Sequence, residues 1–231
     1  PEGQLPAWVS AKEGALILTE PSAEEGKLIW KGQFQEPLNV MESEHDGWHV
    51  VPSIWGENKD GYIRTEFIRV WRKRVRPKQV KDDQIWIDIL LSQQMLALYQ
   101  GDEPLFYTLV STARKGYKTP TGIFQIYSKS TAWDLASLAN SSDPYYIEQT
   151  PWVMHYYPRY AIHSAFWHSN FGRRASHGCI NMSLKDAKYV FDRVRPDLPD
   201  GWRVIKRTHR DKGTILRIRK DEEKLRDKRI R

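Results

Sequence analysis

Short runs of β-forming residues, separated by turn residues, recur along the first third of the chain. Between Gly14 and Trp71 they follow one another at spacings of about 8 to 12 residues, which is typical of small all-β barrels. The runs are residues 15–18, 28–30, 37–40, 47–51 and 61–64. This pattern predicts a small β-barrel as the first domain.

A polar, charged segment with one proline, residues 72–83, follows the barrel and suits an interdomain linker. Beyond the linker, β-type runs at residues 84–91, 94–99 and 105–110 predict a three-stranded meander, and further strands are predicted at 122–127 and 202–205. From Leu184 to Arg195 the apolar residues have helical spacing, with Ser183 as an N-cap candidate and Pro196 as a stop. The predicted fold is mainly β, with one helix late in the chain.

The composition suits a folded chain with an apolar core. Apolar residues make up 40% of the 231 residues and include ten Trp and eleven Tyr, so wholesale disorder is not expected. The longest apolar runs are far shorter than the ~20 residues that span a bilayer. The sequence begins at Pro1 and lacks the charged and apolar regions of a secretory signal, so we expect a trimmed start.

The net charge of +7 is concentrated at the C-terminal end. Residues 206–231 hold twelve Lys or Arg against five Asp or Glu. We interpret residues 208–231 as a basic, solvated tail, with contact to anionic wall polymers or a membrane surface as the alternative. Nucleic-acid binding is not supported, because the basic residues are not interleaved with stacking aromatics.

The single cysteine, Cys179, lies in a segment with three histidines. A cysteine with a pKa of ~8.5 is only slightly ionised at neutral pH, so a cysteine enzyme needs a base or a positive field beside the thiol. His177 precedes Cys179 by two residues, and on an extended segment the two side chains lie ~6 to 7 Å apart, too far for direct proton transfer. His163, sixteen residues upstream after an apolar stretch, is the better candidate base.

Gly178 precedes the cysteine and has a separate use. With no Cβ it allows a sharp turn and a close approach of substrate, so the amides of His177, Gly178 and Cys179 are candidates for an oxyanion hole. A helix beginning near Ser183 adds weaker support through its positive end.

Two separated motifs make a family resemblance specific. Ile162-His163-Ser164 with Ser176-His177-Gly178-Cys179-Ile180-Asn181, preceded by Thr119-Pro120-Thr121-Gly122-Ile123-Phe124, resembles the signature of the L,D-transpeptidase (YkuD) catalytic domain. The resemblance covers residues 84–207. It implies a mostly β fold in which the cysteine attacks a tetrapeptide stem of peptidoglycan at the L-centre of a diamino acid, releases D-Ala and passes the thioester to an amine of another stem.

The resemblance also implies roles for single residues. Cys179 is the expected nucleophile, His163 the base, Ser164 its orienting partner, and His177 with Gly178 part of the oxyanion region. Asn181 stands where many members carry Arg, so Arg173 or Arg174 is an alternative partner for the substrate carboxylate. Expected substrate-binding residues are Ser176, Asn181, Arg173, Arg174, Thr121 and Trp167. We expect an extracytoplasmic monomer without cofactor or metal. The family also implies acylation of the thiol by carbapenem-type β-lactams.

The first domain carries a resemblance of its own. An early strand before Pro21-Ser22, the turns Asp46-Gly47-Trp48 and Asp60-Gly61-Tyr62, and a closing Phe67-Ile68 resemble the bacterial SH3-like domain. This resemblance covers residues 10–72. The stretch between Ser130 and Pro151 is long for a hairpin and is a candidate lid or substrate loop.

Three alternative functions stay open. Resolution of the thioester by water would give an L,D-carboxypeptidase. A zinc-dependent wall hydrolase is the second alternative, since His163, His168, His177 and Cys179 are residue types that ligate zinc, although no familiar metal-ligand spacing is present. A non-catalytic wall-binding protein that uses the β-barrel domain is the third alternative.

Overall fold

The computed structural model describes residues 3–53 and 60–221. The chain divides into two compact units, Pro1–Lys73 and Arg74–Arg231. Among the described residues the structure is mostly strand, with one α-helix, so the predicted fold class is confirmed. No helix of the described part is both long and apolar enough to cross a membrane.

The first unit is a seven-stranded antiparallel sheet around a small apolar core. Its strands are β1 (Leu5–Val9), β2 (Ala15–Leu18), β3 (Leu28–Gly32), β4 (Pro37–Glu42), β5 (Trp48–Val51), β6 (Gly61–Arg64) and β7 (Ile68–Val70). They are ordered β3-β2-β6-β5-β4-β1-β7. The core includes Val9, Ile17, Val40, Ile63 and Ile68.

Strand β1 lies outside the predicted domain of residues 10–72. It pairs with both β4 and β7, so the expected start at residue 10 is wrong. In the sequence, Pro6 disfavours a strand at this place, because proline has no amide hydrogen to donate to a neighbouring strand. In the structure its carbonyl instead accepts a hydrogen bond from the amide of Trp71 at 2.8 Å.

The second unit contains two five-stranded sheets. The first consists of β8 (Ile85–Leu90), β9 (Met95–Gln100), β10 (Glu103–Leu109), β11 (Gly122–Gln125) and β17 (Ile215–Arg219), ordered β10-β9-β8-β17-β11. The meander predicted from the sequence is confirmed, since β8, β9 and β10 pair as antiparallel neighbours. Strand β17 inserts between β8 and β11 and runs parallel to β8.

The prediction of a solvated tail over residues 208–231 is wrong for residues 215–219, because they form β17. Leu216 and Ile218 of this strand are buried in the core. Arg217 and Arg219 both bond the carboxylate of the buried Asp88, each with a closest distance of 2.6 Å. Two of the basic residues therefore neutralise a charge inside the fold. The part of the predicted tail from residue 222 on lies outside the described residues.

The second sheet carries the segments singled out by the sequence motifs. It consists of β12 (Ser128–Ala136), β13 (Tyr146–Tyr157), β14 (Tyr160–Ser164), β15 (Ile180–Met182) and β16 (Val204–Lys206), ordered β15-β14-β13-β12-β16. Strands β12 and β13 form a long hairpin. Most of the candidate loop between Ser130 and Pro151 is therefore strand, and only residues 137–145 connect the two strands.

The helix α1 (Leu184–Arg193) follows β15 directly. The Ser183 hydroxyl accepts a hydrogen bond from the Asp186 amide at 3.1 Å, so the predicted N-cap is confirmed. Ala187, Val190 and Phe191 bury the apolar face of the helix. This face joins one core cluster with Ile87, Ile89, Leu96 and Leu98 of the first sheet and Met154, Ile162, Ile180 and Met182 of the second.

Candidate active site

Strands β14 and β15 bring His163 and Cys179 to one face of their sheet. The two strands are parallel, with Ile162 opposite Ile180 and His163 opposite Asn181. Ile162 and Ile180 belong to the core, so alternation turns His163 and Asn181 to the opposite face. Cys179 precedes Asn181 by two residues. The backbone amide of Ala161, two residues before His163, acts to lower the pKa of Cys179.

The imidazole of His163 is buried and its orientation is fixed. Its Nδ1 lies 2.8 Å from the carbonyl oxygen of Ser164. A carbonyl can only accept, so Nδ1 carries the proton and Nε2 keeps its lone pair. Burial lowers the pKa of His163 to about 4, against the opposing effect of the Ser164 hydrogen bond. The ring, stacked against Trp167 at 5.9 Å between centroids, is therefore a neutral imidazole at pH 7.

Ser164 orients the imidazole through its backbone. Its hydroxyl donates instead to the carbonyl of Pro151 at 2.7 Å, which ties β14 to β13. The atom of Ser164 that orients the His163 ring is therefore its carbonyl oxygen, not its hydroxyl. Any residue at position 164 would supply that carbonyl.

The thiol of Cys179 is half-buried and protonated at rest. Burial raises the pKa of Cys179, while the Ala161 amide acts in the opposite direction. Its Sγ lies 3.8 Å from the carbonyl oxygen of Arg159, a distance suited to a weak S–H donor. The thiol and the His163 imidazole are therefore both in their neutral forms at pH 7.

Gly178 has a conformation that other residues rarely adopt. Its φ is +136°, and an added Cβ would lie 2.7 Å from both the carbonyl oxygen of Lys118 and a ring carbon of Tyr160. Its amide donates to the Ser176 hydroxyl at 3.0 Å. Because the Gly178 amide already donates to Ser176, it is not available as an oxyanion donor. Of the three amides predicted for the oxyanion hole, those of His177 and Cys179 are left.

Ser176 is an internal support of the turn, and the expectation that it binds substrate is wrong. It is buried, and its hydroxyl donates to the Cys179 carbonyl at 2.6 Å while accepting from Gly178. The upstream motif acts through Thr119, whose Oγ1 donates to the Gly178 carbonyl at 2.8 Å. Thr121, the residue expected from that motif, is exposed immediately before β11.

His177 is enclosed by residues that the sequence motifs did not indicate. Its ring lies between Tyr117 and Tyr145, at centroid distances of 4.6 and 4.7 Å. Nε2 is 2.8 Å from Oδ2 of Asp143, which also pairs with Arg114. Burial, and then Arg114, lower the pKa of His177. Asp143 and Tyr145 belong to the 137–145 connection, which therefore lies against the segment that carries the cysteine.

Four further residues were expected to bind substrate, and the structure places each of them differently. Arg174 is exposed, and its guanidinium donates to the carbonyls of Ala113 and Leu91 at 3.3 and 3.2 Å, so its role as a carboxylate partner stays a prediction. Asn181 is buried with its side-chain amide 2.9 Å from His168 Nε2. Trp167 stacks on His163, and Arg173 is exposed. Within residues 3–53 and 60–221, no three His, Cys, Asp or Glu side chains are grouped to hold a metal ion.

Comparison with known proteins assigns this unit to a family. The model of the YkuD L,D-transpeptidase catalytic domain matches residues 83–217, more than half of the chain. The chain therefore belongs to the L,D-transpeptidase (YkuD) catalytic domain family. The match extends through most of β17, in agreement with the place of that strand in the first sheet.

Single relatives are more distant. YciB of Bacillus subtilis (strain 168), whose name describes a candidate L,D-transpeptidase, is 23% identical over 128 residues, which are 50% of this chain and 63% of YciB. The chain thus spans less than two thirds of that relative. A mutant of the Enterococcus faecium L,D-transpeptidase is 21% identical with a TM-score of 0.48, over 61% of this chain and 50% of that one. L,D-transpeptidase 3 of Mycobacterium tuberculosis is 17% identical with a TM-score of 0.49, over 75% and 79%.

Proposed function

We propose that the chain is a peptidoglycan L,D-transpeptidase that acts through a thioester on Cys179. The observation that carries the proposal is the parallel pairing of β14 with β15, which puts the buried His163 opposite Asn181, two residues after the cysteine. The Ser164 carbonyl holds Nδ1 of that imidazole, which leaves Nε2 as the basic atom. Membership of the family supplies the substrate class.

In the proposed first half-reaction, Cys179 Sγ attacks the carbonyl carbon at the L-centre of the diamino acid while His163 Nε2 takes the thiol proton. The tetrahedral intermediate expels D-Ala, whose nitrogen receives the proton from His163. The amides of His177 and Cys179 are the proposed donors to the oxyanion. One such donor stabilises the transition state by ~3 to 4 kcal/mol.

In the second half-reaction, the side-chain amine of another stem attacks the thioester. His163 removes a proton from the attacking nitrogen and returns it to the departing sulfur, so the neutral pair is restored. Water in place of the amine gives L,D-carboxypeptidase action by the same steps. The neutral resting pair supports both outcomes equally.

We also propose an extracytoplasmic enzyme whose first unit is an SH3-like wall-binding module. In support, the Asp46-Gly47 turn precedes β5, Gly61 begins β6, and these two strands pair with each other. Trp48 and Tyr62 lie on these two strands. Deletion of the module should reduce sedimentation of the protein with purified cell walls while leaving turnover of free stem peptides unchanged.

Chromatography of tetrapeptide stems incubated with the protein tests the main proposal. Dimeric products identify transfer to an amine, and trimmed tripeptides identify hydrolysis. Cys179→Ala should give neither product. Carbapenem-type β-lactams should add one acyl group to the wild-type chain and none to the variant in intact-protein mass spectrometry. Equal product or adduct formation by the variant would place the nucleophile elsewhere.

A further inference from the structure

His168 lies among the residues around the candidate base, although the proposed mechanism does not use it. Its ring is 6.1 Å from that of Trp167, which stacks on His163, and 5.3 Å from that of Phe171, between centroids. His168 is also close enough to His163 for its charge to lower the pKa of His163. Its ring nitrogens are therefore placed to act on the same site.

A backbone amide fixes the tautomer of His168. The amide of Asn170 donates to Nδ1 of His168 at 3.1 Å, so Nδ1 must hold a lone pair. Burial lowers the pKa of His168 below its ordinary value of 6.5, so the ring is neutral at pH 7. A neutral imidazole with an accepting Nδ1 carries its single proton on Nε2. Nε2 of His168 is therefore a donor.

The donor at Nε2 determines which end of the Asn181 carboxamide faces the ring. The structure places Nδ2 of Asn181 2.9 Å from Nε2 of His168. Two N–H groups cannot bond each other, and the two ends of a carboxamide have nearly the same shape. A half-turn of the carboxamide removes the conflict, because Oδ1 then accepts from Nε2. The amino group of Asn181 is thereby turned away from His168.

The turned amino group of Asn181 is an unused donor beside the candidate base. Asn181 lies opposite His163 in the parallel pair of strands, and neighbouring strands are about 4.8 Å apart. Two backbone hydrogen bonds with Ser111, of 2.8 and 2.9 Å, hold Asn181 in place. Among the described residues, the carboxamide atom that does not face His168 has no hydrogen-bond partner, and it is not one of the polar atoms that the fold seals from solvent.

We propose that His168 is a positioning residue, whose Nε2–H holds Oδ1 of Asn181 so that the Asn181 amino group donates to an oxygen of a peptide bound beside His163. Identification of that peptide as a peptidoglycan stem rests on the proposed function. A carbonyl or carboxylate oxygen accepts from such a donor, whereas an ammonium group does not. Without His168 the carboxamide would be free to present either end to the substrate.

Long-range ¹H–¹⁵N spectra of the full-length chain at pH 7 measure the tautomer directly. We expect the shift of an unprotonated nitrogen at Nδ1 of His168 and that of a protonated nitrogen at Nε2. Absence of the two signals from the spectrum of the His168→Gln chain identifies them. The reverse pattern, or an average of both tautomers, would overturn the inference, because Nε2 would then not fix the carboxamide. This measurement requires neither substrate nor turnover.

Binding of a stem tetrapeptide to the full-length Cys179→Ala chain tests the contact with substrate. His168→Phe keeps an aromatic ring but removes the donor, so binding should weaken about three- to tenfold, as expected for one hydrogen bond. Asn181→Ala should weaken binding by a similar factor. Once Asn181→Ala is present, His168→Phe should change binding less than about twofold, because it acts through the carboxamide. Equal losses from His168→Phe in both backgrounds would contradict the proposal.

His168→Gln separates the donor from the ring. Its side-chain amide restores an N–H donor toward Asn181, so this variant should bind the tetrapeptide within about twofold of the unsubstituted chain, as should His209→Phe, a matched change of an exposed histidine. Binding by His168→Gln as weak as that of His168→Phe would show that the donor has no role. Absence of both product and tetrapeptide binding with the wild-type chain would instead contradict the proposed function, and the tautomer would still decide the orientation of Asn181.

Discussion

Oγ1 of Thr119 lies 2.8 Å from the carbonyl oxygen of Gly178 and 3.1 Å from the amide nitrogen of Ala113. One buried hydroxyl thus joins the upstream Thr-Pro segment to the turn that presents Cys179. The turn has little room to adjust, since Gly178 has a positive φ and no space for a side chain. The position of the sulfur therefore depends on a residue that takes no part in the chemistry.

Thr119→Val tests this dependence. The substitution keeps the volume but leaves the Gly178 carbonyl and the Ala113 amide without their partner, which should lower the free energy of unfolding by about 1 to 3 kcal/mol. The rate of β-lactam acylation should fall as well, because the cysteine turn loses its fixed position. Urea denaturation and mass spectrometry measure the two effects. Thr119→Ser keeps the hydroxyl and should retain most of both properties; equal losses in the two variants would show that the methyl group matters more.

The charge state of the cysteine gives a second prediction. Because the pKa of Cys179 is raised by burial, the thiolate fraction should grow about tenfold per pH unit through the neutral range. Alkylation by iodoacetamide should therefore accelerate about a hundredfold between pH 6 and pH 8. A flat rate across this range would indicate a preformed thiolate and imidazolium pair. His163→Ala should leave this slope unchanged while lowering substrate turnover about 10²- to 10⁴-fold, as expected for a general base.

His163 also links stability to pH. Its folded pKa of about 4 lies below the ordinary value of 6.5, so the unfolded chain binds the proton first as the pH falls. Above pH 6.5 the histidine is neutral in both states, so protonation costs no stability there. Between pH 6.5 and pH 4 the free energy of unfolding should fall by about 3 kcal/mol. Unfolding free energies across this range measure the slope. His163→Gln removes the titrating group, so the variant should lose about 3 kcal/mol less than the wild type over the same interval.

Features that depend on neighbouring residues in sequence could be predicted. The meander, the Ser183 cap and the helix follow from local periodicity and capping chemistry, and the structure contains all three. The special conformation of Gly178 follows from its place before the cysteine. The motif around His163 and Cys179 identified the segments that parallel pairing brings together, although the catalytic roles of these residues stay predictions.

Features that depend on distant partners could not be predicted. Strand β17 resembled a solvated basic segment because the neutralising carboxylate, Asp88, lies more than a hundred residues earlier. The contact between His177 and Asp143 spans 34 residues and follows no spacing rule. Arg174 was a candidate carboxylate partner in the sequence, and only the fold shows that two of its donors bond the backbone carbonyls of Ala113 and Leu91.

The contact between Asp143 and His177 predicts control of access to the thiol. Asp143→Asn removes the charge that holds the 137–145 connection to His177 and Arg114. Both charged partners are about half exposed, so the loss of stability should stay below about 1 kcal/mol. Detachment of the connection should increase the rate of Cys179 alkylation several-fold at a fixed pH. Asp134→Asn changes a carboxylate of the same hairpin that bonds Tyr146 and Gln149 instead; an equal increase in that variant would exclude a specific role for the His177 contact.

The buried carboxylate of Asp88 predicts that β17 is essential to the fold. Asp88 is 4% exposed and bonds both Arg217 and Arg219, so Asp88→Asn would leave two guanidinium groups with little compensation. Breaking a buried ion pair in this way costs about 3 to 5 kcal/mol. Urea denaturation should show that loss for Asp88→Asn and almost none for Asp200→Asn, an exposed control. The double variant Asp88→Asn with Arg219→Met, in which one unpaired charge is also removed, should recover part of the stability. A loss below about 1 kcal/mol for Asp88→Asn would mean that β17 is held by its apolar residues, Leu216 and Ile218, alone.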